Sequence, residues 1–287
     1  MCGRYAASAH PHELIEIFEV DQDASGDPTR SLLKTPQEPP AGRPDYNVAP
    51  SKAAPVVVQR PARADRGESR QLRLLSWGLV PPWSTDTTGS VRMINARAET
   101  LLSKPAFAKA ARSRRCLVPA TGWYEWQASP VATGRNGKPR KQPFFLTRSD
   151  DTPLALAGVY EFWKVPSDEA PSHLHGTSTE RSPAPAWLVT FAIVTTAAEA
   201  GLDRIHSRQP VVLDEDRWRD WLDPGLEDAD HIDGLLGAPA PGRFTAWPVS
   251  TAVNAVSNNS SALIEPLPSS DLVGVLDPQS GEVIGSP

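Results

Sequence analysis

Proline constrains this chain more than any other residue, because 30 of its 287 residues are proline and they occur along its whole length. Proline has no backbone N–H to donate, so it is tolerated at helix starts, turns and sheet edges but disfavoured inside helices and central strands. This composition argues against an all-helical fold. Many short strands, a few short helices and no strand–helix alternation predict an α+β fold with antiparallel, barrel-like sheets.

Composition and charge describe a globular chain without a membrane span. Hydrophobic residues make up 39% and charged residues 22%, and 287 residues suffice for one large domain with a proper core. There is neither a run of about 18 apolar residues nor a secretory signal, so we expect a cytoplasmic protein with no membrane partner. The net charge of −5 argues against coating nucleic acid through bulk charge, but it says nothing about a local basic groove.

Apolar spacing and turn residues predict three short helices among strands. The expected elements are a helix over 11–20, paired strands over 53–59 and 71–80, a helix over 103–113 capped by Ser103, strands over 115–126, 143–148, 154–162 and 186–196, a helix capped by Asp214 that buries Trp218, Trp221 and Leu222, and a strand near 244–250. Loop insertions are expected at about 21–43 and 164–185, the second disordered, and a basic loop at 127–142. Residues 267–287 are expected to form a flexible tail.

The N-terminal sequence MCGRY places one of only two cysteines at position 2. Removal of the initiator Met would leave Cys2 with a thiol and a free α-amine on one Cα, which is a 1,2-aminothiol. The alternative interpretation is that residue 2 belongs to a frayed, unimportant chain end. The other cysteine, Cys116, lies in an apolar stretch and is predicted to be buried, and a reducing cytosol argues against a disulfide between the two.

An N-terminal aminothiol is useful against an electrophile, and its natural partner is an aldehyde. Reference pKa values of about 8.5 for the thiol and about 7.7–8.0 for the amine leave a useful fraction of neutral amine at cellular pH. Attack by the amine gives a Schiff base, and the adjacent sulfur can then close a five-membered thiazolidine ring. Because this ring persists where a simple Schiff base hydrolyses, the pair favours long-lived capture over turnover.

Three polar stretches could supply the proton transfers and the positioning that such a capture needs. MINARAET carries Asn95, Arg97 and Glu99 at alternate positions, which share one side of an extended segment. Glu125 lies between aromatic residues in GWYEW, where burial would raise its pKa toward that of a general acid–base. His206 is suited to moving protons near neutrality. Each has a plainer interpretation: Asn95 as a partner in a turn or a strand ladder, Glu125 in an ion pair at the rim, and His206 as an ordinary loop histidine.

Six motifs occur in one order along the chain: MCGRY, YNVAP, WGLVPPW, INARAET, GWYEW and IHSRQPVVL. In that order they closely resemble the SRAP family of SOS response-associated peptidases, also known as abasic-site processing or shielding proteins. The resemblance runs from residue 2 to about 266, interrupted by the two insertions. It implies a single SRAP domain over residues 2–266 that binds single-stranded DNA at an abasic site and crosslinks the ring-opened deoxyribose through its N-terminal Cys.

The resemblance also implies a role for each matching residue. Cys2 would be the nucleophile, and Asn95 would position it together with the opened sugar. Glu125 would transfer protons at the Schiff base, and His206 would assist ring opening and crosslink reversal. The arginines would hold phosphates, and the proline and tryptophan would form the surface over which the strand bends. The implied DNA-binding residues are Arg4, Pro50, Trp83, Arg97, Lys104 and Arg208.

The chain departs from the family pattern at positions that bear on these roles. A second aromatic residue often follows the tryptophan of the PPW stretch, whereas Ser84 follows Trp83 here, which predicts a weaker base-stacking surface. Many relatives read His-Asp/Glu-Arg-Met-Pro where this chain reads His-Ser-Arg-Gln-Pro from His206 to Pro210, so the surroundings of His206 differ. Lys104 is matched to a basic residue expected shortly after ARAET.

The expected partner is therefore single-stranded DNA with an abasic site, with replication-fork or strand-junction DNA as a further partner. A narrow positive groove with an aromatic face is enough for this binding. We expect a monomer without cofactor or metal that acts in the DNA damage and SOS responses, cytoplasmic and associated with the nucleoid when bound to DNA. The expected enzymatic activities are a peptidase activity that removes Met1 and lyase-like chemistry at the abasic site.

Three other functions remain open on the sequence. An N-terminal-nucleophile autopeptidase would also need Cys2, although only Met1 precedes it. A metal or redox protein could use Cys2, Cys116 and histidines, but neither the Cys nor the His spacing fits a zinc pattern. A non-covalent single-stranded DNA-binding module would tolerate Cys2→Ala, whereas covalent capture would not.

Overall fold

The computed structural model describes residues 2–62, 64, 67–134, 136–150, 152–166, 174–175, 186–237 and 242–285. Within these residues the α-helices are α1 Pro11–Ile17, α2 Pro105–Ser113, α3 Glu215–Leu222 and α4 Ala229–Leu235. The strands are β1 Tyr5–Ala7, β2 Gln22–Asp23, β3 Thr29–Arg30, β4 Asp45–Val48, β5 Ala53–Arg60, β6 Ser69–Trp77, β7 Asn95–Arg97, β8 Arg115–Ala120, β9 Gly122–Thr133, β10 Pro139–Arg148, β11 Leu154–Lys164, β12 Leu174–His175, β13 Trp187–Ala197, β14 Arg208–Pro210, β15 Phe244–Pro248, β16 Val275–Leu276 and β17 Val283–Ile284. Short 3₁₀ helices span Thr88–Arg92, Ala98–Thr100, Leu202–Arg204, Thr251–Asn254, Ser261–Leu263 and Ser269–Asp271.

Five strands close a barrel in the order β13, β11, β8, β5 and β6. Neighbouring strands are antiparallel except for the closing pair, in which β13 and β6 run parallel with Phe191 opposite Trp77. Val56, Val57 and Val58 are all buried, as expected for a continuous apolar strand that is covered on both faces. The barrel and its short helices confirm the predicted α+β class with antiparallel, barrel-like sheets.

The N-terminal strand lies inside a second sheet, which is ordered β15, β10, β9, β1 and β4. β1 is antiparallel to both neighbours, and Tyr5 lies opposite Val48 on β4 and Trp123 on β9. Backbone N–H and C=O groups of β1 therefore pair on both sides, which holds the start of the chain in place. The interpretation of residue 2 as part of a frayed end is wrong, because Cys2 has no solvent exposure.

Aromatic side chains fill the space between the two sheets. Trp77 meets Tyr5 edge-on with ring centroids 5.1 Å apart and stacks on Phe191 at 6.4 Å. On the outer face of the barrel, Trp221 of α3 is fully buried and donates its indole N–H to the Cys116 carbonyl at 2.9 Å. Fully burying one such side chain contributes roughly 1.5–3 kcal/mol, so these contacts anchor both the second sheet and α3 to the barrel.

One of the two predicted helix caps is wrong, and the other lacks its side-chain hydrogen bond. Lys104 occupies the N-cap position of α2 instead of Ser103, because Pro105 takes the first helical position and the cap falls one residue before it. Asp214 occupies the N-cap position of α3 as predicted, but its side chain makes no capping hydrogen bond. Its carboxylate instead binds Arg148 at 3.0 Å and Arg243 at 2.5 Å, and such charge-assisted bonds are stronger than a cap.

The predicted strand over 115–126 is divided between the two sheets. β8 ends at Ala120 and β9 begins at Gly122, where a Cβ would lie only 2.5 Å from the Leu146 carbonyl oxygen. Glycine is therefore required where the chain passes from the barrel to the second sheet. The predicted loop at 127–142 is also shorter than expected, since β9 continues to Thr133 and β10 begins at Pro139. Helix α4 was not predicted.

The predicted insertions and tail differ in how far the structure describes them. Within 21–43 the short strands β2 and β3 form, and β3 pairs with β12 of the second insertion. The remainder of that insertion, residues 167–173 and 176–185, lies outside the described residues. The C-terminal segment packs on β9 instead of hanging free, because Leu272 and Val275 join the hydrophobic core. No helix within the described residues is long and apolar enough to span a membrane.

Candidate functional site

Cys2 lies at the centre of the predicted site with its thiol free and buried. Its backbone carbonyl accepts a hydrogen bond from Asn95 Nδ2 at 2.7 Å, and its Sγ lies 3.9 Å from the Arg4 carbonyl oxygen. Burial raises the pKa of the Cys2 thiol far above its ordinary value. The sulfur is therefore a neutral thiol at cellular pH, and any thiolate step must follow the arrival of a base or an electrophile.

Asn95 reaches Cys2 from β7, which is held in parallel register against β13. Its amide nitrogen binds the Cys2 carbonyl, while its Oδ1 is buried and has no hydrogen-bond partner among the described residues. Buried polar atoms nearly always have partners, so an unsatisfied acceptor beside Cys2 is suited to a ligand. The backbone of Asn95 pairs with β13, as its plainer interpretation predicted. Its side chain also holds Cys2 through the carbonyl.

Glu125 lies on β9, beside the chain segment that carries Cys2. The amide of Tyr124 donates to the Arg4 carbonyl at 2.9 Å, and continuing this antiparallel register places Glu125 next to Gly3. Glu125 is only 3% exposed, and burial raises its pKa to about 7. The prediction of a raised pKa is confirmed, and Glu125 is buried instead of exposed at the rim, with His206 as a charged neighbour when the ring is protonated.

His206 follows the 3₁₀ turn Leu202–Arg204, and its Nδ1 lies 4.0 Å from Glu125 Oε1. The backbone N–H of Arg208 donates to Nδ1 at 3.0 Å, which favours the neutral tautomer with its hydrogen on Nε2. Burial lowers the pKa of His206 below its ordinary value. A neutral imidazole and a carboxyl group that titrates near neutrality therefore lie close together, which is the arrangement needed for general acid–base catalysis.

Arg208 and Glu99 form a bidentate ion pair at the edge of the barrel. The two guanidinium–carboxylate distances are 2.5 and 2.9 Å, and the same guanidinium donates to the Thr195 carbonyl at 2.6 Å. The hydrogen bond from Arg208 holds the pKa of Glu99 below its ordinary value. Asn95, Arg97 and Glu99 were predicted to share one side of an extended segment. This is wrong for Glu99, because β7 ends at Arg97 and Glu99 lies in the turn Ala98–Thr100.

The other predicted DNA-binding residues differ in exposure. Arg4 is half-buried and donates to Asn47 Oδ1 at 2.6 Å and to the Val253 carbonyl at 2.9 Å, and burial lowers its pKa. Pro50 is half-buried, whereas Trp83 is 60% exposed. Exposed Lys104 lies at the start of α2, with its Nζ 5.7 Å from the centroid of the Phe107 ring, and Arg97 is exposed at the end of β7.

Asn47 is a site residue that the sequence reasoning missed, although it lies in the YNVAP motif. Its Nδ2 donates to the carbonyls of Val253, Ala255 and Asn258 at 3.3, 3.0 and 2.9 Å, while its Oδ1 accepts from Arg4. One amide thus ties the segment at 253–258 to Arg4, next to Cys2. A polar residue that is fully buried in a strand would have been the signal, but burial is not visible in the sequence.

The metal or redox alternative finds no support in the part of the chain that the structure describes. There, no group of three His, Cys, Asp or Glu residues could hold a metal ion. Cys2 and Cys116 are both free thiols in the hydrophobic core. Burial also raises the pKa of Cys116, so it is an inert structural thiol.

Because its pKa is raised, Glu125 makes a testable contribution to stability. The folded state holds the Glu125 proton up to about pH 7, whereas the unfolded chain releases it near 4.5, so stability falls as the pH rises through this window. Glu125→Gln should therefore raise the free energy of unfolding at pH 8 by up to about 3 kcal/mol, and by far less at about pH 5, measured by urea denaturation.

Glu161→Gln is the matched control, because Glu161 is also buried but forms an ion pair with Arg114 at 2.7 Å. Breaking a buried pair is strongly destabilising, by about 3–5 kcal/mol, so the two substitutions should have opposite signs at pH 8. An unchanged stability difference between Glu125→Gln and the wild type across this pH range would contradict the raised pKa.

Comparisons with known proteins identify the family of this chain. The family model of the SOS response associated peptidase (SRAP) matches residues 1–256. Abasic site processing protein YoqW of Bacillus subtilis is 34% identical over 267 residues, covering 92% of this chain and 99% of the relative. Abasic site processing protein YedK of Escherichia coli is 29% identical over 270 residues, covering 93% and 100%. Abasic site processing protein HMCES of Mus musculus is 29% identical over 298 residues, covering 93% and 76%.

Solved structures show the same fold. A protein from Bacteroides thetaiotaomicron superposes with a TM-score of 0.64 at 21% identity, over 93% of this chain and 100% of that chain. A phage-related protein from Bordetella bronchiseptica superposes with a TM-score of 0.55 at 29% identity, over 86% and 94%. The match of the family model over most of the chain, and the identity to YoqW, show that this chain belongs to the SRAP family.

Proposed function

We propose that this protein binds single-stranded DNA at an abasic site and captures the opened sugar covalently through Cys2 after Met1 has been removed. Its relatives in the SRAP family are named abasic site processing proteins. The grouping of four side chains carries the proposal. Asn95 holds the Cys2 carbonyl at 2.7 Å, and Glu125, on the neighbouring strand, lies 4.0 Å from His206.

The first bond forms between the α-amine of Cys2 and the aldehyde carbon of the opened sugar. The product is a carbinolamine, which loses its hydroxyl group as water to give a Schiff base. The leaving hydroxyl needs a proton, and the amine must lose one. Glu125, whose pKa lies at about 7, exists in both protonation states near neutrality and can perform both transfers.

The second bond forms between the Cys2 sulfur and the imine carbon. The S–H proton passes to the imine nitrogen as the ring closes, so the overall reaction joins one aldehyde to one aminothiol and releases one water. The raised pKa of the buried thiol keeps the sulfur protonated beforehand, which orders the reaction as amine first and sulfur second. His206, which is neutral because its pKa is lowered, is suited to take the hydroxyl proton of the closed sugar as that ring opens.

Binding of DNA would rest on a local surface, since the net charge of the chain is −5. Arg97 is exposed at the edge of the barrel, Arg208 lies at the same edge through β14, and Arg4 lies two residues from Cys2. These cations would contact phosphates, and the exposed Trp83 ring would stack on a base. Non-covalent affinity should weaken as salt rises, because phosphate contacts release counterions, whereas the crosslink should not.

The test uses a uracil-containing single-stranded oligonucleotide treated with uracil glycosylase, with the untreated oligonucleotide as control. We expect a shifted band on a denaturing gel from the treated strand alone. The intact mass of the adduct should equal the protein without Met1 plus the oligonucleotide minus one water. Because a thiazolidine contains no C=N bond, the band should survive without borohydride. No band, or a band that needs borohydride to persist, would count against the proposal.

Trp83→Ala should weaken non-covalent binding of single-stranded DNA without destabilising the fold, because the ring is 60% exposed. Loss of one base–aromatic stack costs about 1–3 kcal/mol, which corresponds to a roughly 5- to 150-fold rise in Kd. Fluorescence anisotropy with a labelled oligonucleotide measures this change. Trp187→Ala is the matched control: Trp187 is 47% exposed but lies beside Arg73 and Thr29. Equal losses for both variants would argue against a specific role of Trp83.

A further inference from the structure

The chain that follows the family match folds back onto the candidate site. The family model matches up to residue 256, whereas residues 272–285 form a separate hairpin of β16 and β17, here called the C-terminal brace. Two glycines pair at the open end of the hairpin, where the amide of Gly274 donates to the Gly285 carbonyl at 2.6 Å. Leu272 and Val275 are buried, so the brace is packed against the domain.

The brace binds β9, the strand that carries Glu125, through two polar side chains. Gln127 donates to the Leu276 carbonyl and accepts from the Leu276 amide, each at 2.8 Å, and it is 1% exposed. Ser129 donates to the Gly274 carbonyl at 2.5 Å. Glu125, Gln127 and Ser129 alternate along β9, so in a regular strand they share one face.

The brace also binds the turn that carries His206. Arg204 donates to the carbonyls of Pro278 and Gln279 at 2.7 and 2.9 Å. Gly201, at the start of this turn, has a φ of +95°, and a Cβ there would lie 3.3 Å from the Pro278 oxygen. The brace and the turn are therefore in close backbone contact, which favours glycine at this position.

Gln127 joins these contacts into one network. The amide nitrogen that binds Leu276 also donates to the backbone carbonyl of Arg204 at 3.2 Å. Within the turn, the His206 amide donates to the Leu202 carbonyl at 3.1 Å. The turn is thus held on one side by β9 and on the other by the brace, and His206 extends from it toward Glu125.

We propose that the C-terminal brace positions His206 against Glu125, so that release of the brace uncouples the two side chains. The catalytic consequence rests on the proposed function, but the structural consequence does not. A displacement of about 1 Å in a catalytic group can cost about 10²-fold in rate. The hydrogen bonds of Gln127, Ser129 and Arg204 to the brace supply the rigidity that such a pair needs.

The brace acts by position and not by charge. Among the described residues, the charged groups that act on His206 are Glu125 on β9, Lys141 on β10 and Arg208 on β14. None of them belongs to residues 272–285. Loosening the brace would therefore change the burial of His206 while its charged neighbours stay the same.

Two substitutions release the brace from different sides. Arg204→Ala removes both bonds from the turn to the brace. Gly274→Ala acts from the β9 side, because Gly274 has a φ of +62° and a Cβ there would lie 2.7 Å from Ser129 Oγ. Arg204→Lys keeps a charged donor and should restore much of the contact. Arg112→Ala is the control, since Arg112 also donates to a backbone carbonyl, that of Glu227 at 2.8 Å.

The first readout is the NMR titration of the His206 ring, which requires no DNA. Because burial is the main cause of its lowered pKa, we expect the pKa of His206 to rise toward its ordinary value in Arg204→Ala and in Gly274→Ala. It should stay at the wild-type value in Arg112→Ala and return toward it in Arg204→Lys. An identical pKa in all variants would overturn the proposal.

The second readout is the rate of adduct formation with abasic DNA over a range of pH. We expect the brace variants to form the adduct at least about tenfold more slowly, with a displaced pH profile and an unchanged Kd for the intact oligonucleotide. If the wild type forms no adduct, the proposed function fails while the NMR arm still tests the brace. If the adduct forms at the wild-type rate in both brace variants, the brace has no positioning role.

Discussion

Cys2→Ala is expected to abolish the stable adduct with abasic DNA, reducing its yield to the background of a denaturing gel. Alanine at position 2 is also small, so removal of Met1 should still occur and leave a free α-amine. The amine can still form a Schiff base, but no sulfur is present to close the ring. Borohydride should therefore trap an adduct of Cys2→Ala, whereas the wild-type adduct should persist without it.

Cys116→Ala is the matched control for this experiment, because Cys116 is the other fully buried free thiol of the chain. It should form the adduct as the wild type does, since its thiol faces the barrel core against Gly158. Non-covalent affinity should be the same in all three proteins. A wild-type yield from Cys2→Ala without borohydride would show that another nucleophile forms the adduct.

Glu125→Gln is expected to slow adduct formation at neutral pH by about 10²- to 10³-fold, within the usual range for loss of a general acid–base. The amide has nearly the same shape as the carboxyl group but cannot exchange a proton. Burial raises the pKa of Glu125 to about 7, so the acid form that would protonate the leaving hydroxyl declines as the pH rises through 7. The neutral fraction of the amine increases over a similar range, with a reference pKa of about 7.7–8.0.

The pH profile of the rate separates these two groups. The wild type should show a bell with its maximum between the two pKa values, and Glu125→Gln should keep only the rising limb that belongs to the amine. Single-turnover rates from about pH 5.5 to about pH 9 measure both limbs. Glu19→Gln, which removes a 76% exposed carboxylate that pairs with Arg70, should keep the wild-type bell. A bell of unchanged shape in Glu125→Gln would exclude Glu125 as the proton-transfer group.

The same substitution is expected to raise stability at pH 8 and to lower activity. Both effects have one cause, because a carboxyl group with a pKa of about 7 is poised for proton transfer only while it is buried at a cost to folding. Functional residues often destabilise the folded state in this way, so substitutions that stabilise the protein at these positions reduce its activity. The stability measurement therefore tests the burial of Glu125 without any DNA substrate.

Local sequence patterns were sufficient for the elements that depend on local chemistry. The apolar runs of β5 and β6 predicted the hairpin, and the tryptophans of α3 predicted its buried face. Predictions based on one residue were less reliable. Ser103 is not the N-cap of α2, and Asp214 is the N-cap residue of α3 but uses its carboxylate to bind Arg148 and Arg243. The break between β8 and β9 depends on the close approach of Leu146 in β10 to Gly122. A local sequence pattern cannot predict a contact between residues so far apart in the chain.

The sequence by itself determined the class of fold, the family and the residue types of the site, because motif order, proline content and the chemistry of Cys2, Glu125 and His206 are properties of the chain alone. The tertiary structure decided where these residues lie and how they ionise. Burial sets the pKa values of Cys2 and Glu125, and burial depends on strands that are far apart in the chain. Gln127 meets Leu276 across 149 residues, so the role of the C-terminal brace exists only once the chain is folded.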